Sequence, residues 1–532
     1  MLASRLHWRL LIGTIAVLVA AAWLAPLAVR PPDIQENRVL APKPAWPRAF
    51  EDLKTFRKAS DAYVADHFPV RPHLIGALNR LRMLAGVSGS KRVIVGRDGW
   101  LFFDDDTHLG AARGDPPMLE FETRAWLETF AGRTEALRAR GIPYLVVAAP
   151  VKETVYPQFA PAWFPGPSSS RATVRLARLA AQTGAGEVIY LHDAVAAETG
   201  AGHKTFSRHD THWTGYGAYA GYVGLMTRLH ALGLTAEGPR PLSDFKPLDF
   251  PPSHGPRDLA LMLGVASFVD LDFPHLASKA ADPVLTTSYL SDKTDWTAPQ
   301  VTDTGVAGKP VLLMTRDSFS NELLPFLYPH FSRIVLAHNQ DGAWRPDLID
   351  RFKPDIVILE VVEHGLRVSM GEGPAPSTMA ASRIDRVLAS IRVAKSLTAP
   401  AFGVPTPRFA TVLAAAKPSD RCNFDIAVLT PGSETTNLSV AGWIWEHERH
   451  DGTPDGFIEV EGPQVRLIAK VRVDKARPDV ARYFKDSQAE RTGFLENYDL
   501  KRLAPGPYGL TVYRRAGRGW IACRARQSLS IP

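Results

Sequence analysis

The chain has 532 residues, 45% of them hydrophobic and 22% charged. This composition is globular, long enough for two or three domains with their own cores, and excludes a disordered chain. Lys and Arg number 62 against 55 Asp and Glu, an excess that is spread along the chain. It therefore argues against nucleic acid as a partner and leaves a solvated surface as the simplest reading, with a uronate polymer or an anionic membrane as the alternatives.

Leu10 to Val29 carries no charge, follows Arg5 and Arg9, and is long enough to cross a bilayer as a helix. Residues 1–30 are expected to be an anchor that leaves the rest of the chain outside. The small residues at Ala25 to Ala28 keep signal cleavage open as the other outcome. Pro31 to Pro47 reads as an extended tether. Helical periodicity starts at Phe50 and resumes at His73. Val93 to Val95 and Trp100 to Phe103 flank an Asp98-Gly99 turn and predict a hairpin.

From there the chain alternates. Apolar runs at Ile142 to Ala149, Val188 to Leu191, Val311 to Thr315, Ile334 to Ala337 and Ile356 to Val361 are separated by helical patterns, which predicts an α/β domain with a buried parallel sheet. Such sheets carry their sites beyond the carboxyl ends of the strands. This domain is expected over 31–396, a linker over 397–417 and an antiparallel β-sandwich over 418–532, where the runs become short and alternating. Trp443, Trp445 and Trp520 in the sandwich are candidates for stacking on sugar rings, with core packing the alternative for at least two of them. Cys422 and Cys523 have no metal-like spacing, and export would allow them to pair.

Two segments carry chemistry. "SRHDTHWTGYGAYAGY" (Ser207 to Tyr222) places Asp210, His212 and Trp213 just before a small-residue helical pattern. "VLLMTRDSFSNELLPFLYPHF" (Val311 to Phe331) ends a buried strand near Thr315 and starts a helix after Ser318. A serine at a strand-to-helix elbow can be presented above the sheet, beside backbone N–H groups that hold an oxyanion. The three form a candidate catalytic set: Ser318 as nucleophile, His212 as general base and Asp210 as the carboxylate that orients it. Competing readings are helix capping by Asp317, Ser318, Ser320 or Thr214, a satisfied buried His212, and a metal cluster of His203, His209 and His212 with Asp210. No ligand spacing supports the metal, so no metal and no cofactor are expected.

"ENRVLAPKP" at Glu36, "DHFPVRPHLIGALN" at Asp66, "GRDGWLFF" at Gly96, "APVKETVYP" at Ala149, "HDTHWTGYGA" at His209, "TRDSFS" at Thr315 and "RFKPDIVILEVVE" at Arg351 resemble, in order, the blocks of the alginate O-acetyltransferase family of the AlgX/AlgJ type. That resemblance implies an SGNH-hydrolase-like, flavodoxin-like parallel sheet with flanking helices. It also implies an Asp-x-His block ahead of the serine block, and triad roles on Asp210, His212 and Ser318. Asn339 and Arg316 are the side-chain candidates for the oxyanion hole. The implied reaction is acetyl transfer to hydroxyls of an exported, alginate-like bacterial polysaccharide through an acetyl-serine. A membrane-bound acyltransferase would supply the acetyl group in the periplasm, at the inner membrane. The rival readings are an acetylesterase of the same fold and a non-catalytic polysaccharide-binding subunit of an export complex.

Overall fold

The computed structural model describes residues 2–28, 39–104, 108–114, 117–248, 257–280, 283–396, 402–405, 407–432, 435–446, 455–516 and 519–531. These fall into two compact units. One comprises 1–115, 145–174 and 189–366, and the other 116–144, 175–188 and 367–532.

In the first unit, helix α1 (Leu2–Ala28) is followed by α2 (Asp52–His67) and α3 (Arg71–Leu84). Among the described residues no helix is long and apolar enough to cross a membrane. Several side chains of α1, including those at 18, 19, 22, 23 and 25–28, and all of Val29, lie outside the described residues, as does 31–38 of the expected tether. Strands β1 (Val93–Val95) and β2 (Leu101–Phe103) form the expected antiparallel hairpin. Its turn needs left-handed backbone at two successive residues, Asp98 (φ 52°) and Gly99 (φ 75°), which is why Asp-Gly stands there.

The main sheet takes β3 (Tyr144–Ala149), β4 (Glu187–Tyr190), β7 (Thr286–Tyr289), β8 (Gln300–Asp303), β9 (Val311–Arg316), β10 (Arg333–His338) and β11 (Ile356–Val362) in the order β4-β3-β11-β9-β10-β8-β7. Between β4 and β7, β5 (Phe245–Leu248) and β6 (His275–Ser278) make a separate two-stranded pair. β9 lies between β10 and β11, parallel to both, and all but its first residue is buried. A strand covered on both faces has no polar side to alternate with, so it reads as one apolar run. The edge is different: β8 pairs antiparallel with β10, and β7 antiparallel with β8. Neither was expected, because β7 is wholly exposed, reads "TTSY", and has no apolar face to reveal it.

α9 (Gly215–Ala231) and α11 (Ser320–Leu327) share a buried core with β9; α4 (His108–Arg113), α6 (Lys152–Val155), α8 (His192–Gly200) and α10 (Asp258–Leu263) belong to the same unit, and α5 (Glu120–Arg138) and most of α7 (Ala172–Thr183) to the other. Trp213, Tyr222, Leu225, Leu312, Met314, Leu323, Leu327 and Ile358 share one buried core.

In the second unit, β13 (Cys422–Pro431), β14 (Thr435–Ile444) and β17 (Gly493–Lys501) form one sheet in that order. The other runs β12-β19-β18-β15-β16, from β12 (Lys417–Pro418), β15 (Asp455–Glu461), β16 (Arg466–Arg472), β18 (Gly506–Ala516) and β19 (Gly519–Arg524), with β20 (Leu529–Ile531) on β18. Leu438, Val440 and Tyr498 of the first sheet share a core with Ile458, Val460, Leu510 and Val512 of the second, which makes this a sandwich. Cys422 on β13 and Cys523 on β19 form a disulfide between the two sheets, Cα to Cα 6.0 Å. Residues 397–401 and 406 of the expected linker lie outside the described residues, and within it Pro407–Ala414 is a helix. Its Leu413 is buried against Ile468 and Tyr513.

Candidate active site

β9 delivers Arg316 at its end, and the chain then turns through Asp317, Ser318 and Phe319 into α11. Asp317 makes the turn: Oδ1 accepts from Phe319 N at 3.0 Å and Oδ2 from Val362 N, the last residue of β11, at 2.6 Å. Ser320 Oγ closes the turn by donating to Asp317 O at 2.8 Å. Ser318 is not the cap of α11, whose N-cap position is Phe319, and its hydroxyl points elsewhere. Its Oγ lies 2.9 Å from His212 Nε2.

His212 belongs to the loop before α9. Asp210 Oδ1 accepts from His212 Nδ1 at 2.8 Å and from His212 N at 2.9 Å, so the two-residue spacing lets one carboxylate oxygen fix both the ring and the backbone of the base. Thr214 caps α9, its Oγ1 accepting from Gly217 N, so neither Asp210 nor His212 is needed for that task. Trp213 is buried, and its Nε1 donates to Phe319 O at 2.9 Å. The indole therefore ties the histidine loop to the serine turn. Acid, base and indole at one helix entrance serve three separate contacts.

Asp258, at the start of α10, is a member that no local sequence pattern reveals. Its N–H donates to Asp210 Oδ2 at 2.9 Å, and its own Oδ1 accepts from Thr211 N at 2.7 Å. The next two amides, of Leu259 and Ala260, donate to His209 O. The first turn of α10 thus clamps the loop from His209 to Thr211. Asp258 Oδ2 is 3.8 Å from His212 Nδ1. Among the described residues, the acid and imidazole groups that converge closely enough for a shared ion are Asp210, His212 and Asp258. All three are already hydrogen-bonded, to each other or to backbone. The cluster once conceivable around His203 and His209 is not assembled: His203 stacks on Tyr216 and His209 Nδ1 faces Asp270 O at 3.2 Å.

Charge in the site follows from these contacts. Burial works to lower the His212 pKa, but the hydrogen bond and charge of Asp210, with Asp258 and Asp317 behind it, raise it to about 9. Burial pushes Asp210 up, and its bonds to His212 and to the amides bring it below the ordinary carboxylate value. Asp258 is raised to about 6 by burial and by the Asp210 charge. Beneath the turn, Glu360 Oε2 accepts from Asp317 N at 3.1 Å. Burial and then the Asp317 charge hold Glu360 well above its usual range. Lys152 is buried, donates to Leu101 O at 2.8 Å, and is lowered to about 8 by burial against the pull of Glu153, Asp210 and Asp258.

A base must be neutral to accept a proton, so any rate that depends on His212 should climb tenfold per pH unit and level off near pH 9. Asp258→Asn removes one of the negative charges that raise His212, so the plateau should begin at lower pH while the triad contacts remain. A pH profile of acyl-enzyme formation that is unchanged in Asp258→Asn would show that this carboxylate does not tune the base.

Both expected oxyanion side chains hold other partners. Asn339 Nδ2 donates to Glu360 O at 2.7 Å. Buried Arg316 donates to Ser320 Oγ, Asn321 Oδ1 and Trp296 O. In the sandwich, Trp445 is 1% exposed and belongs to the core, so no sugar ring can reach it. Trp443 is half-buried against Phe484, and Trp520 packs on Phe457. They stand on β14 and β19, in different sheets, and form no common platform.

Residues 93–343 match the family model described as SGNH hydrolase-like domain, acetyltransferase AlgX. No curated protein matches the chain. Among solved structures, the chain is similar to the O-acetyltransferase domain of Pseudomonas putida AlgJ, at 18% identity over 56% of this chain and 99% of that one, with a TM-score of 0.38. Bacillus cereus PatB1 with a sulfonyl adduct is similar at 12% identity over 54% of this chain and 100% of that one, TM-score 0.41. Pseudomonas aeruginosa AlgX is similar at 15% identity over 81% of this chain and 94% of that one, TM-score 0.31.

Proposed function

We propose that the protein, whose residues 93–343 form an SGNH-hydrolase-like domain of the AlgX acetyltransferase type, moves acetyl groups onto hydroxyls of an exported polysaccharide through an acetyl-Ser318 intermediate. The observation that carries this reading is the continuous relay from Asp210 through His212 to Ser318, with contacts of 2.8 and 2.9 Å. Ser318 Oγ attacks the acetyl carbonyl while His212 Nε2 takes its proton, and the same proton then leaves with the departing donor. A sugar hydroxyl attacks the acetyl-serine next, His212 takes the sugar's proton, and that proton returns to Ser318. Since Asn339 and Arg316 are occupied, the backbone N–H of Ser318 itself is our candidate for holding the oxyanion.

The uncharged run Leu10 to Val29 supports an anchor in the inner membrane with the domain in the periplasm, where a membrane-bound acyltransferase would hand over the acetyl group. For the sandwich, we place the polysaccharide contact in a cavity of about 580 Å³ beside the disulfide, lined by Asp420, Asn423, Phe424, Arg524, Arg526 and Gln527 among others, rather than on the tryptophans.

The test is a partition experiment. The protein is loaded from an activated, isotopically labelled acetyl ester, and the label is followed into alginate, into neutral polysaccharides and into free acetate. Transfer to a uronate polymer faster than to water is the expected result. Release to water alone, with every polymer tried, would leave the esterase reading in its place.

A further inference from the structure

Helix α3 has two opposite sides without acidic residues, and among the described residues one of them is buried in the fold and the other is exposed. Gly76, Asn79 and Met83 make the buried side. Asn79 Nδ2 donates to Leu263 O of α10 at 2.7 Å, and a Cβ at Gly76 would stand 2.9 Å from Gly264 O. Met83 joins the cluster of Val93, Val95, Leu101, Leu259 and Leu263. At 100° per residue, Leu74, Leu78 and Leu81 fall on the far side of the helix. They are 61%, 48% and 65% exposed, and Leu84 is 68% exposed. A row of leucines left in water by a helix that already has its core contact marks a surface that something else covers.

The charges around the row identify what covers it. Between Asp66 and Asp98 the chain holds no acidic residue, while Arg71, Arg80, Arg82, Lys91, Arg92 and Arg97 lie in that interval. On the helix, Arg71 and Arg82 border the leucines on one flank and Arg80 on the other. Long cationic side chains in that position let apolar neighbours enter an acyl layer while their own heads stay at phosphate level. Exposed Trp46 and Phe50 lie just upstream, and the uncharged run of α1 precedes them. A protein partner has no need of a flank purged of acids, whereas an anionic lipid surface does.

We propose that α3 lies flat on the bilayer that holds α1, with Leu74, Leu78, Leu81 and Leu84 in the acyl boundary and the arginines on anionic phospholipid headgroups. This rests on the anchored reading above and adds to it a fixed orientation. α3 grips the last residue of α10, and the first residue of α10 holds Asp210. The lipid surface is then one helix away from the triad, on the side from which a membrane-borne acetyl donor would come.

The experiment uses the full chain, whose two native cysteines are paired, with one added cysteine carrying an environment-sensitive fluorophore. Leu81→Cys reports α3 and Val284→Cys, an exposed site elsewhere in the same unit, is the control. In vesicles of phosphatidylglycerol and phosphatidylcholine with spin-labelled acyl chains, position 81 should be quenched several-fold more than position 284. Arg80→Glu with Arg82→Glu, or vesicles of phosphatidylcholine alone, should remove most of that difference. Flotation with the vesicles reports the anchor separately. A chain that floats with position 81 quenched no more than position 284 overturns the docking of α3 and leaves the anchor standing. Position 81 shielded from both lipid and aqueous quenchers means a protein covers the row, which also overturns the proposal. A chain that does not float and is not quenched ends both readings.

Discussion

Ser318→Ala should abolish acetyl-enzyme formation, with a loss on the order of 10⁶-fold, the scale seen when a nucleophile that works as one unit with its base is removed. His212→Ala should fall close to it. Asp210→Asn should slow the reaction by about 10⁴-fold, because one of the two carboxylate oxygens becomes an NH2 that cannot accept from His212 or from Asp258 N, and the ring loses its counter-charge. Combining the substitutions should cost little beyond Ser318→Ala alone. Mass spectrometry of protein quenched during turnover with an activated acetyl ester should find the added acetyl on the peptide containing Ser318 in the wild type and nowhere in the alanine variant. Full activity in Ser318→Ala would mean that another group is the nucleophile.

The second large effect belongs to the sandwich. Cys422 and Cys523 are 101 residues apart, and closing a loop of that length restricts the unfolded chain by about 4.7 kcal/mol in the loop-closure account. Cys422→Ser with Cys523→Ser should therefore lower the protection of amides in β14 and β18 against hydrogen exchange by about three orders of magnitude. Amides of β9 and β10, in the other unit, provide the reference. Protection that stays the same in β14 and β18 would show that these strands open without separating the bonded ends.

What could be read from the sequence depended on how local its cause was. β9, β10 and β11 were legible because strands buried on both faces are apolar over most of their length, with polar residues such as Arg316 and Glu360 near their carboxyl ends, and the hairpin was legible because two left-handed positions call for Asp-Gly. The Asp210 and His212 pairing was legible because its geometry is complete within three residues. Asp258 was not: its role is set by a contact across 48 residues with Asp210, and an acid at the head of a short helix looks like any other. Arg171 with Glu363, a buried ion pair at 2.6 Å, spans 192 residues and left no local mark either. Trp443 and Trp445 were both candidates for stacking on sugar rings. β14 ends at Ile444, however, and Trp445 turns into a cluster with Val480 and Ala489. Asn339 and Arg316 show a related limit, since spacing places a side chain near the serine without showing which partners it already serves.

The triad is built from two pieces that are each stiff. Asp210 and His212 are held as one piece by the amides of α10, and Ser318 is held in another by the bonds of Asp317 to Phe319 N and Val362 N. The pieces meet in the 2.9 Å contact between His212 Nε2 and Ser318 Oγ and in the bond from Trp213 Nε1 to Phe319 O. Such a site works like a clutch: a slip of about 1 Å between the plates disconnects the proton relay while both plates remain whole. A molecule that wedges between the histidine loop and the serine turn would then interrupt the relay while leaving both pieces folded.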